Sequence, residues 1–376
     1  MKSFEINSYR HKYSFNYFRT IEEIIDEIKH EQNISLSIID SLVLKKHPQL
    51  NSLSNLSEII KIEVNDSTKS INNLVEILSL FSKKKIRKNH KILVVGGGTI
   101  QDIIASACCL YHRGISWIFI PTTALSQGDS CVGSKTCIDT ETEKNQYGLF
   151  YPPLKILSCP EFLYSLDHIE IISGLGDILH YLLPYELSSD ILIKLLDYLD
   201  DKNKLLILCS ELSTKSMFLK SKMVEIDEFD NYKRHIFNFG HTFGHALEKS
   251  TNQYLPHGIA VIIGLYIALT FSKINSSIIE KQKSQIKKFL SQLTSNRIIP
   301  FYKFSLDKLT IQLARDKKNN QNDLINCILP TSLEDSLWHL NEMEPKYGLN
   351  KFNIDKNFCI KKIKDINLPN NIEFIK

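Results

Sequence analysis

The sequence predicts an α/β domain built on a doubly wound parallel sheet, followed by a mainly α-helical domain. Two patterns lead to this prediction. Residues 91–120 contain a strand, a helix and a second strand, and helical periodicity dominates from about residue 160 onward. With 376 residues, the chain has the length of about two domains. We therefore expect domains at residues 1–159 and 160–376.

The strand–helix–strand unit begins with the apolar segment Lys91–Val95. Three glycines follow at 96–98, then a helical pattern at Ile100–Tyr111 and a second apolar strand at Trp117–Ile120. A helix between two strands within about 30 residues is a crossover, which makes the strands parallel.

Apolar periodicity predicts the remaining elements. Upstream of the crossover, Ile34–Leu44 is predicted as a strand and a turn, and Ile71–Phe81 as an amphipathic helix. Downstream, we expect helices at Asp177–Leu183, Leu205–Met223, Thr242–Ser250, Gly258–Ser272 and Ile278–Leu293.

Composition excludes several classes of protein. A chain with 43% hydrophobic and 23% charged residues is not disordered, collagenous or coiled-coil. A net charge of +4 does not indicate a nucleic-acid partner. The apolar run Gly258–Ser272 is shorter than the about 20 residues of a membrane span, so we expect no membrane association. The N-terminus has no apolar signal region and the cysteines form no Cys-x-x-Cys pair, which favours a cytoplasmic protein with reduced thiols.

The glycines at 96–98 indicate a phosphate-binding turn. Glycine lets the backbone approach a ligand closely, and the helix that follows directs free N–H groups at the same point. Asp102, just inside that helix, can cap it or contact a cofactor, and Thr122 and Thr123 add hydroxyls after the next strand. A glycine turn without a ligand remains the alternative, because this is not the G-x-G-x-x-G pattern.

Histidines and one acidic residue suggest a metal site. His241 and His245 are four residues apart, one helical turn, and His257 follows shortly after. Asp177 lies in an otherwise apolar segment, where a carboxylate needs a partner. Spacing alone suggests that His241, His245 and one carboxylate bind zinc. Each histidine taken singly is better explained as a hydrogen-bonded core residue, and only the cluster of three favours a metal site.

A polar, glycine-punctuated stretch follows at residues 126–145. Lys135 and Lys144, with Asn145 next to the second lysine, suit the binding of phosphate or carboxylate. A solvated hairpin explains this stretch equally well.

Seven segments recur in a known order between about residues 91 and 318: VVGGGTIQD, HRGISWIFIPTTALSQGDSCVGSKT, EKNQYGLFYPP, SGLGDILHY, FNFGHTFGHALE, LPHGIAV and ARDKK. In this order and spacing they resemble the dehydroquinate synthase family of sugar-phosphate cyclases. Residues 1–90 and the C-terminal tail resemble that family only weakly.

The resemblance implies a Rossmann-like domain that binds NAD and an α-helical domain that binds one divalent metal, Zn or Co. It implies a carbon–oxygen lyase, active as a homodimer, in the shikimate pathway of aromatic amino acid biosynthesis. The implied substrate is a small sugar phosphate, the seven-carbon acid DAHP. Transient oxidation by NAD, β-elimination, reduction and aldol closure would convert it to 3-dehydroquinate and phosphate.

Residue by residue, the resemblance places Asp177, His241 and His257 at the metal, so His245 becomes a substrate contact instead of a ligand. The other catalytic or substrate-binding positions are Asp129, Lys135, Asn145, His180, Lys220, Arg234, Asn238, Lys318 and Arg113, the last reaching the phosphate bound by the partner subunit. The NAD positions are Gly97, Gly98, Asp102, Thr122, Thr123, Lys144, Phe162 and Glu170, and Asp66 and Lys69 match a further Glu-x-x-Lys pair.

The chain departs from the family at four positions. Asp177 replaces a metal-binding glutamate and His180 replaces a catalytic-site lysine, while Ile259 and Gln101 replace a glutamate and a glycine. The first two changes leave the substrate open. The alternatives are a sibling cyclase acting, for example, on sedoheptulose 7-phosphate, or a non-catalytic descendant. A metal-dependent polyol dehydrogenase would explain the glycines and histidines but not the substrate-binding set.

Overall fold

The computed structural model describes residues 3–65, 67–141, 143–185, 187–315, 323–337, 345–369 and 372–375. The chain forms two compact units, Met1–Leu166 with Ser210–Phe229, and Asp167–Cys209 with Asp230–Lys376. A single boundary between residues 159 and 160 remains a prediction from the sequence. In the structure, the segment Ser210–Phe229 joins the first unit because its buried Met217 and Val224 lie in that unit's core.

The first unit is an α/β unit, as the sequence predicts. Its strands are β1 (Ser3–Asn7), β2 (Lys12–Tyr17), β3 (Ile34–Asp40), β4 (Glu58–Ile62), β5 (Lys91–Gly96), β6 (Ser116–Pro121), β7 (Lys135–Ile138), β8 (Tyr147–Phe150) and β9 (Lys155–Ser158). Its helices are α1 (Ile21–Lys29), α2 (Ser41–Lys46), α3 (Ile71–Lys83) and α4 (Gly98–Leu110).

Seven of these strands form one sheet in the order β1-β2-β9-β6-β5-β3-β4. All neighbours in it are parallel except β1 and β2, which form an antiparallel edge. Alternate residues of β5 enter two different cores: Ile92 and Val94 one, Leu93 and Val95 the other. Both faces of the sheet are therefore covered, which explains the continuous apolar run in the sequence.

The second unit is mainly helical. The described elements that follow in the chain are α5 (His168–Leu182), α6 (Leu187–Tyr198), α7 (Lys202–Ile226), α8 (His241–Ser250), α9 (His257–Thr270), α10 (Ser277–Ser295), β10 (Tyr302–Ser305), α11 (Leu306–Ala314), β11 (Leu324–Thr331), β12 (Gly348–Asp355), α12 (Lys356–Lys364) and β13 (Ile372–Ile375). The part of α7 from Ser210 onward belongs to the first unit.

The helices and strands that the sequence predicts are all present, together with others that it does not predict. The turn predicted after Ile34–Asp40 is the short helix α2, which Asp40 caps by accepting a hydrogen bond from the Leu42 N–H at 2.8 Å. The second unit also holds two small sheets, β10 with β13 and β11 with β12, which the sequence analysis did not predict. Within the described ranges, no helix has both the length and the hydropathy of a membrane span.

Candidate functional site

The glycine turn of the first unit has no room for side chains at Gly96 and Gly97. β5 ends at Gly96 and α4 begins at Gly98, with Gly97 as its N-cap. A Cβ atom on Gly97 would lie 2.9 Å from Thr123 Cγ2, and one on Gly96 would lie 2.4 Å from Ile100 Cγ2. Because β5 and β6 are parallel neighbours, Thr123 and the turn share the carboxyl edge of the sheet. This cradle at a helix N-terminus fits the pyrophosphate of a dinucleotide.

Lys69 links two of the predicted site residues. Its ammonium donates hydrogen bonds to Asp102 Oδ2 at 2.9 Å and to Asn145 Oδ1 at 2.5 Å. Asp139 Oδ1 lies 3.7 Å from the same ammonium and accepts a hydrogen bond from the Asn145 N–H at 2.6 Å. Burial raises the pKa of Asp102 to about 6, although Lys69 acts in the opposite direction. Asp66, its predicted companion, lies outside the described residues.

Replacing Asp102 by Asn should stabilise the protein near neutral pH. The pKa of Asp102 is about 6 in the folded protein, against 3.8 for an ordinary aspartate. The folded state therefore holds the Asp102 proton more tightly than the unfolded state does. The stabilisation that results is complete below about pH 4 and is lost as the pH rises to about 6. Over that interval, the free energy of unfolding of Asp102→Asn should rise by up to about 3 kcal/mol relative to that of the wild type. Urea unfolding at several pH values measures this gain.

The control for this experiment is Asp26→Asn, since the Asp26 side chain is 70% exposed. Its free energy of unfolding should follow that of the wild type at every pH. A constant difference between Asp102→Asn and the wild type across the interval would contradict the prediction.

A buried lysine contacts Asp129. Lys220 is 6% exposed, and its ammonium donates to Asp129 Oδ1 at 2.8 Å and to the Asp129 carbonyl at 2.7 Å. Asp129 lies in the turn Ser126–Ser130, whose Gly128 carbonyl accepts a hydrogen bond from the Ser216 hydroxyl at 2.8 Å. Two predicted substrate-binding residues that are far apart in sequence are thus brought into direct contact.

Other predicted positions have different surroundings. Lys135 and Lys144 are exposed, at the start of β7 and in the β7–β8 connection, and Arg113 is exposed in a tight turn. The Phe162 side chain is fully buried, in the core that also contains Leu93 and Val95 of β5. Glu170, in the second unit, accepts a hydrogen bond from the Asp167 N–H at 2.7 Å and so caps α5. Their roles remain predictions.

Asp177, His241 and His257 converge within the second unit. Asp177 Oδ1 lies 3.2 Å from His257 Nε2 and 3.7 Å from His241 Nε2, and the Asp177 side chain is 1% exposed. A tetrahedral ion with bonds of about 2.1 Å separates its ligand atoms by about 3.4 Å. Both distances are close to this separation, so Asp177 can share a divalent cation with each of the two imidazoles.

Glycines set this convergence by allowing three helix backbones to touch. A Cβ atom on Gly258 would lie 1.6 Å from the Ser173 carbonyl oxygen, and one on Gly176 would lie 2.2 Å from the Gly258 oxygen. The contact of α5 with α9 therefore places Asp177 next to His257. On the other side of α9, a Cβ atom on Gly264 would lie 2.1 Å from the Gly240 oxygen, just before His241.

Glu248 is a neighbour of the metal site that the sequence analysis did not select. Its Oε1 lies 3.2 Å from His257 Nδ1, so it can orient the ring whose Nε2 faces Asp177. Burial lowers the pKa of His257, but the carboxylates of Asp177 and Glu248 outweigh it and hold this pKa well above its usual value. The signal was present: Glu248 follows His241 and His245 at helical spacing on α8.

Changing Glu248 to Gln should weaken divalent cation binding by about 10–100-fold, because loss of a partner behind a histidine ligand has this effect. Competition with a chromogenic chelator measures the affinity. The matched control is Glu280→Gln, at a carboxylate that is 65% exposed on α10, and its affinity should equal that of the wild type. Equal affinities in all three proteins would exclude an orienting role for Glu248.

The remaining second-unit positions lie near the start of α8. Arg234 and Asn238 belong to the turn Lys233–Asn238, and Arg234 is 6% exposed. The Asn238 amide donates to the His235 carbonyl at 3.0 Å. Lys318 lies outside the described residues.

Comparison with known proteins identifies the family. The model for the 3-dehydroquinate synthase N-terminal domain matches residues 59–173, and the model for the C-terminal domain matches residues 190–319. The chain is 33% identical to the 3-dehydroquinate synthase of Pelagibacter ubique (strain HTCC1062), over 86% of this chain and 91% of that protein. The chain belongs to the 3-dehydroquinate synthase family. This family member is also 36% identical, over 70% of its length and 73% of the relative's, to the 3-dehydroquinate synthase of Francisella tularensis subsp. holarctica (strain LVS).

Solved structures of related cyclases share the fold of this family member. A 2-deoxy-scyllo-inosose synthase complexed with carbaglucose-6-phosphate, NAD+ and Co2+ matches with a TM-score of 0.75 and 19% identity, over 97% of this chain and all of the other. The 2-epi-5-epi-valiolone synthase of Streptomyces hygroscopicus subsp. jinggangensis 5008, with NAD+ and Zn2+ bound, matches with a TM-score of 0.73 and 18% identity, over 93% and 95% of the two chains.

Family membership confirms the class of enzyme predicted from the sequence. This family member is an NAD- and metal-dependent lyase that acts on a small sugar phosphate. The Rossmann-like first unit and the helical second unit agree with the predicted fold class.

Proposed function

We propose that this enzyme catalyses the 3-dehydroquinate synthase reaction, in which DAHP is cyclised to 3-dehydroquinate with release of phosphate. The observation that supports this most is the convergence of Asp177 Oδ1 with His257 Nε2 at 3.2 Å and with His241 Nε2 at 3.7 Å. This is a donor set for a divalent cation in a chain whose matched relatives are named 3-dehydroquinate synthases.

NAD would bind along the glycine turn at Gly97 and Gly98, with Thr122, Thr123 and Asp102 nearby, and Asp177, His241 and His257 would hold the cation. When bound, NAD accepts and returns a hydride, and the cation polarises a substrate oxygen. In this proposal Lys144, Phe162 and Glu170 complete the NAD positions.

The chain's own side chains would orient the substrate and neutralise its charge. The ammonium of Lys220, held by Asp129, presents a positive charge at a defined position, and the guanidinium of Arg234 suits a substrate carboxylate. His245 is exposed and its ring centroid lies 5.4 Å from those of His241 and His257, so it can exchange a proton with bound substrate. Lys135, Asn145, Asn238 and Lys318 are proposed as further substrate contacts.

The direct test is release of inorganic phosphate from DAHP by the purified protein supplied with NAD and a divalent cation. We expect one phosphate per molecule of 3-dehydroquinate formed. Absence of phosphate release with zinc, cobalt, manganese and nickel, each tried in turn, would contradict the proposal.

A sibling cyclase activity is the second candidate, because Asp177 and His180 differ from the family at the reacting centre. Turnover of sedoheptulose 7-phosphate with no reaction of DAHP would establish it. Binding of NAD and cation without turnover of either sugar phosphate would indicate a non-catalytic descendant.

We also propose a homodimer in which Arg113 contacts the phosphate bound by the partner subunit. Arg113 is exposed, and its backbone has a φ of 58°, beside His112 at 50° and Gly114 at 110°. Mixing the inactive variants Arg113→Ala and His257→Ala should restore about a quarter of the wild-type activity, since half of the dimers would then hold one complete site. No recovery after subunit exchange would exclude a residue contributed by the partner.

A further inference from the structure

His180 lies at the metal centre, on the helix that carries Asp177. The two residues are three apart on α5 and therefore share one face of the helix. Ligand-capable atoms of Asp177, His180 and His241 all lie within 4.8 Å of one another. The His180 ring centroid is 4.6 Å from that of His241, and the two rings are almost perpendicular at 84°.

The surroundings of His180 are closed and aromatic. The residue is 2% exposed, and its ring packs against Tyr181 at 3.8 Å and Phe237 at 6.2 Å between centroids. An imidazole is a common metal ligand in proteins, whereas the lysine that the family has here would present an ammonium, which has no lone pair.

The second departure from the family acts in the same direction. Asp177 is one methylene shorter than the family's glutamate, so its carboxylate stays closer to α5. A cation bound by Asp177 is thereby drawn toward the helix that also carries His180. Asp177 still reaches the other two ligands, since its Oδ1 lies 3.2 Å from His257 Nε2 and 3.7 Å from His241 Nε2.

His245 is the competing candidate for a further ligand. Its ligand-capable atom lies within 4.8 Å of those of His241 and His257, so distance alone does not separate it from His180. Exposure does, because His245 is exposed on α8 whereas His180 is enclosed by aromatic rings. An exposed imidazole is available to substrate, whereas an enclosed one can meet only the groups that surround it, which for His180 include Asp177 and His241.

We propose that His180 is a fourth protein ligand of the cation, so that the metal centre has one carboxylate and three imidazoles. This inference rests on the proposed metal-dependent function. Four protein ligands fill a tetrahedral zinc site, so a cation that also binds a substrate oxygen must take five or more ligands. Cobalt, manganese and iron do so readily.

X-ray absorption spectroscopy of the full-length protein loaded with Co2+ tests the proposal, because it counts imidazole ligands without relying on activity. The wild type should show three imidazoles, His180→Gln two and His245→Gln three. Chelator competition should show Co2+ affinity lowered at least about tenfold in His180→Gln and unchanged in His245→Gln.

The outcomes separate this inference from the function on which it rests. An unchanged imidazole count and affinity in His180→Gln, or a loss in His245→Gln instead, overturns the role of His180 and leaves the proposed function intact. A wild type that binds no cation overturns both. If His180→Gln does not fold, as judged by circular dichroism, the other two proteins still decide: three imidazoles in both support His180, and any other pair of counts opposes it.

Discussion

Replacing His257 by Ala is expected to abolish uptake of a divalent cation, whereas replacing His245 by Ala should keep the cation and lose turnover. His257 Nε2 lies 3.2 Å from Asp177 Oδ1. The methyl group of alanine has no lone pair, so it cannot replace this nitrogen as a metal ligand. His245 is exposed on α8 and is proposed to act on the substrate. We expect at least about a 100-fold loss of cation affinity in the first variant, and a fall of about 10²–10⁴ in turnover in the second.

Metal analysis after equilibrium dialysis, together with phosphate release from DAHP, measures both effects. NAD binding should be the same in both variants and the wild type, because the glycine turn lies in the other unit. Circular dichroism and thermal unfolding serve as the control for folding of both variants. Equal loss of cation in the two variants would show that His245 is also a ligand and that the roles are wrongly assigned.

Replacing Gly258 by Ala is expected to destroy the metal centre without removing any ligand. The added Cβ atom would lie 1.6 Å from the Ser173 carbonyl oxygen, and a backbone atom cannot rotate away as a side chain can. Overpacking costs typically about 1–3 kcal/mol where side chains can adjust, so we expect a loss of at least about 3 kcal/mol here. This exceeds the about 1 kcal/mol that alanine gains over glycine within a helix.

The matched control is Ser173→Ala, on the facing helix. It removes the hydroxyl that accepts a hydrogen bond from the Gly258 N–H at 3.0 Å but adds no atom to the contact between α5 and α9. We expect a cost of about 1 kcal/mol and cation binding close to that of the wild type. Thermal unfolding and cation titration of both variants measure the difference. A Gly258→Ala protein with wild-type stability and cation affinity would show that these helices do not need to touch.

The sequence was sufficient for the crossover at the centre of the first unit, β5, α4 and β6, but not for the outer strands β1, β2, β4 and β9 of the sheet. A continuous apolar run predicted β5, because both faces of that strand are buried. The three glycines that follow it predicted the turn at its end. The resemblance identified the family and assigned Asp177, His241 and His257. Spacing alone favoured His241 with His245, because a single sequence reveals neighbours one helical turn apart but not neighbours on different helices.

The contacts around the candidate site follow only from the tertiary packing. The glycines beside Asp177, His241 and His257 are visible in the sequence, but only the folded chain shows that Gly176 faces Gly258 and that Gly240 faces Gly264. The approach of Glu248 to His257, the link from Lys69 to Asp102 and Asn145, and the place of His180 beside Asp177 and His241 arise in the same way. Each depends on where two backbones cross, and that position follows from the combined packing of many residues instead of from any local pattern.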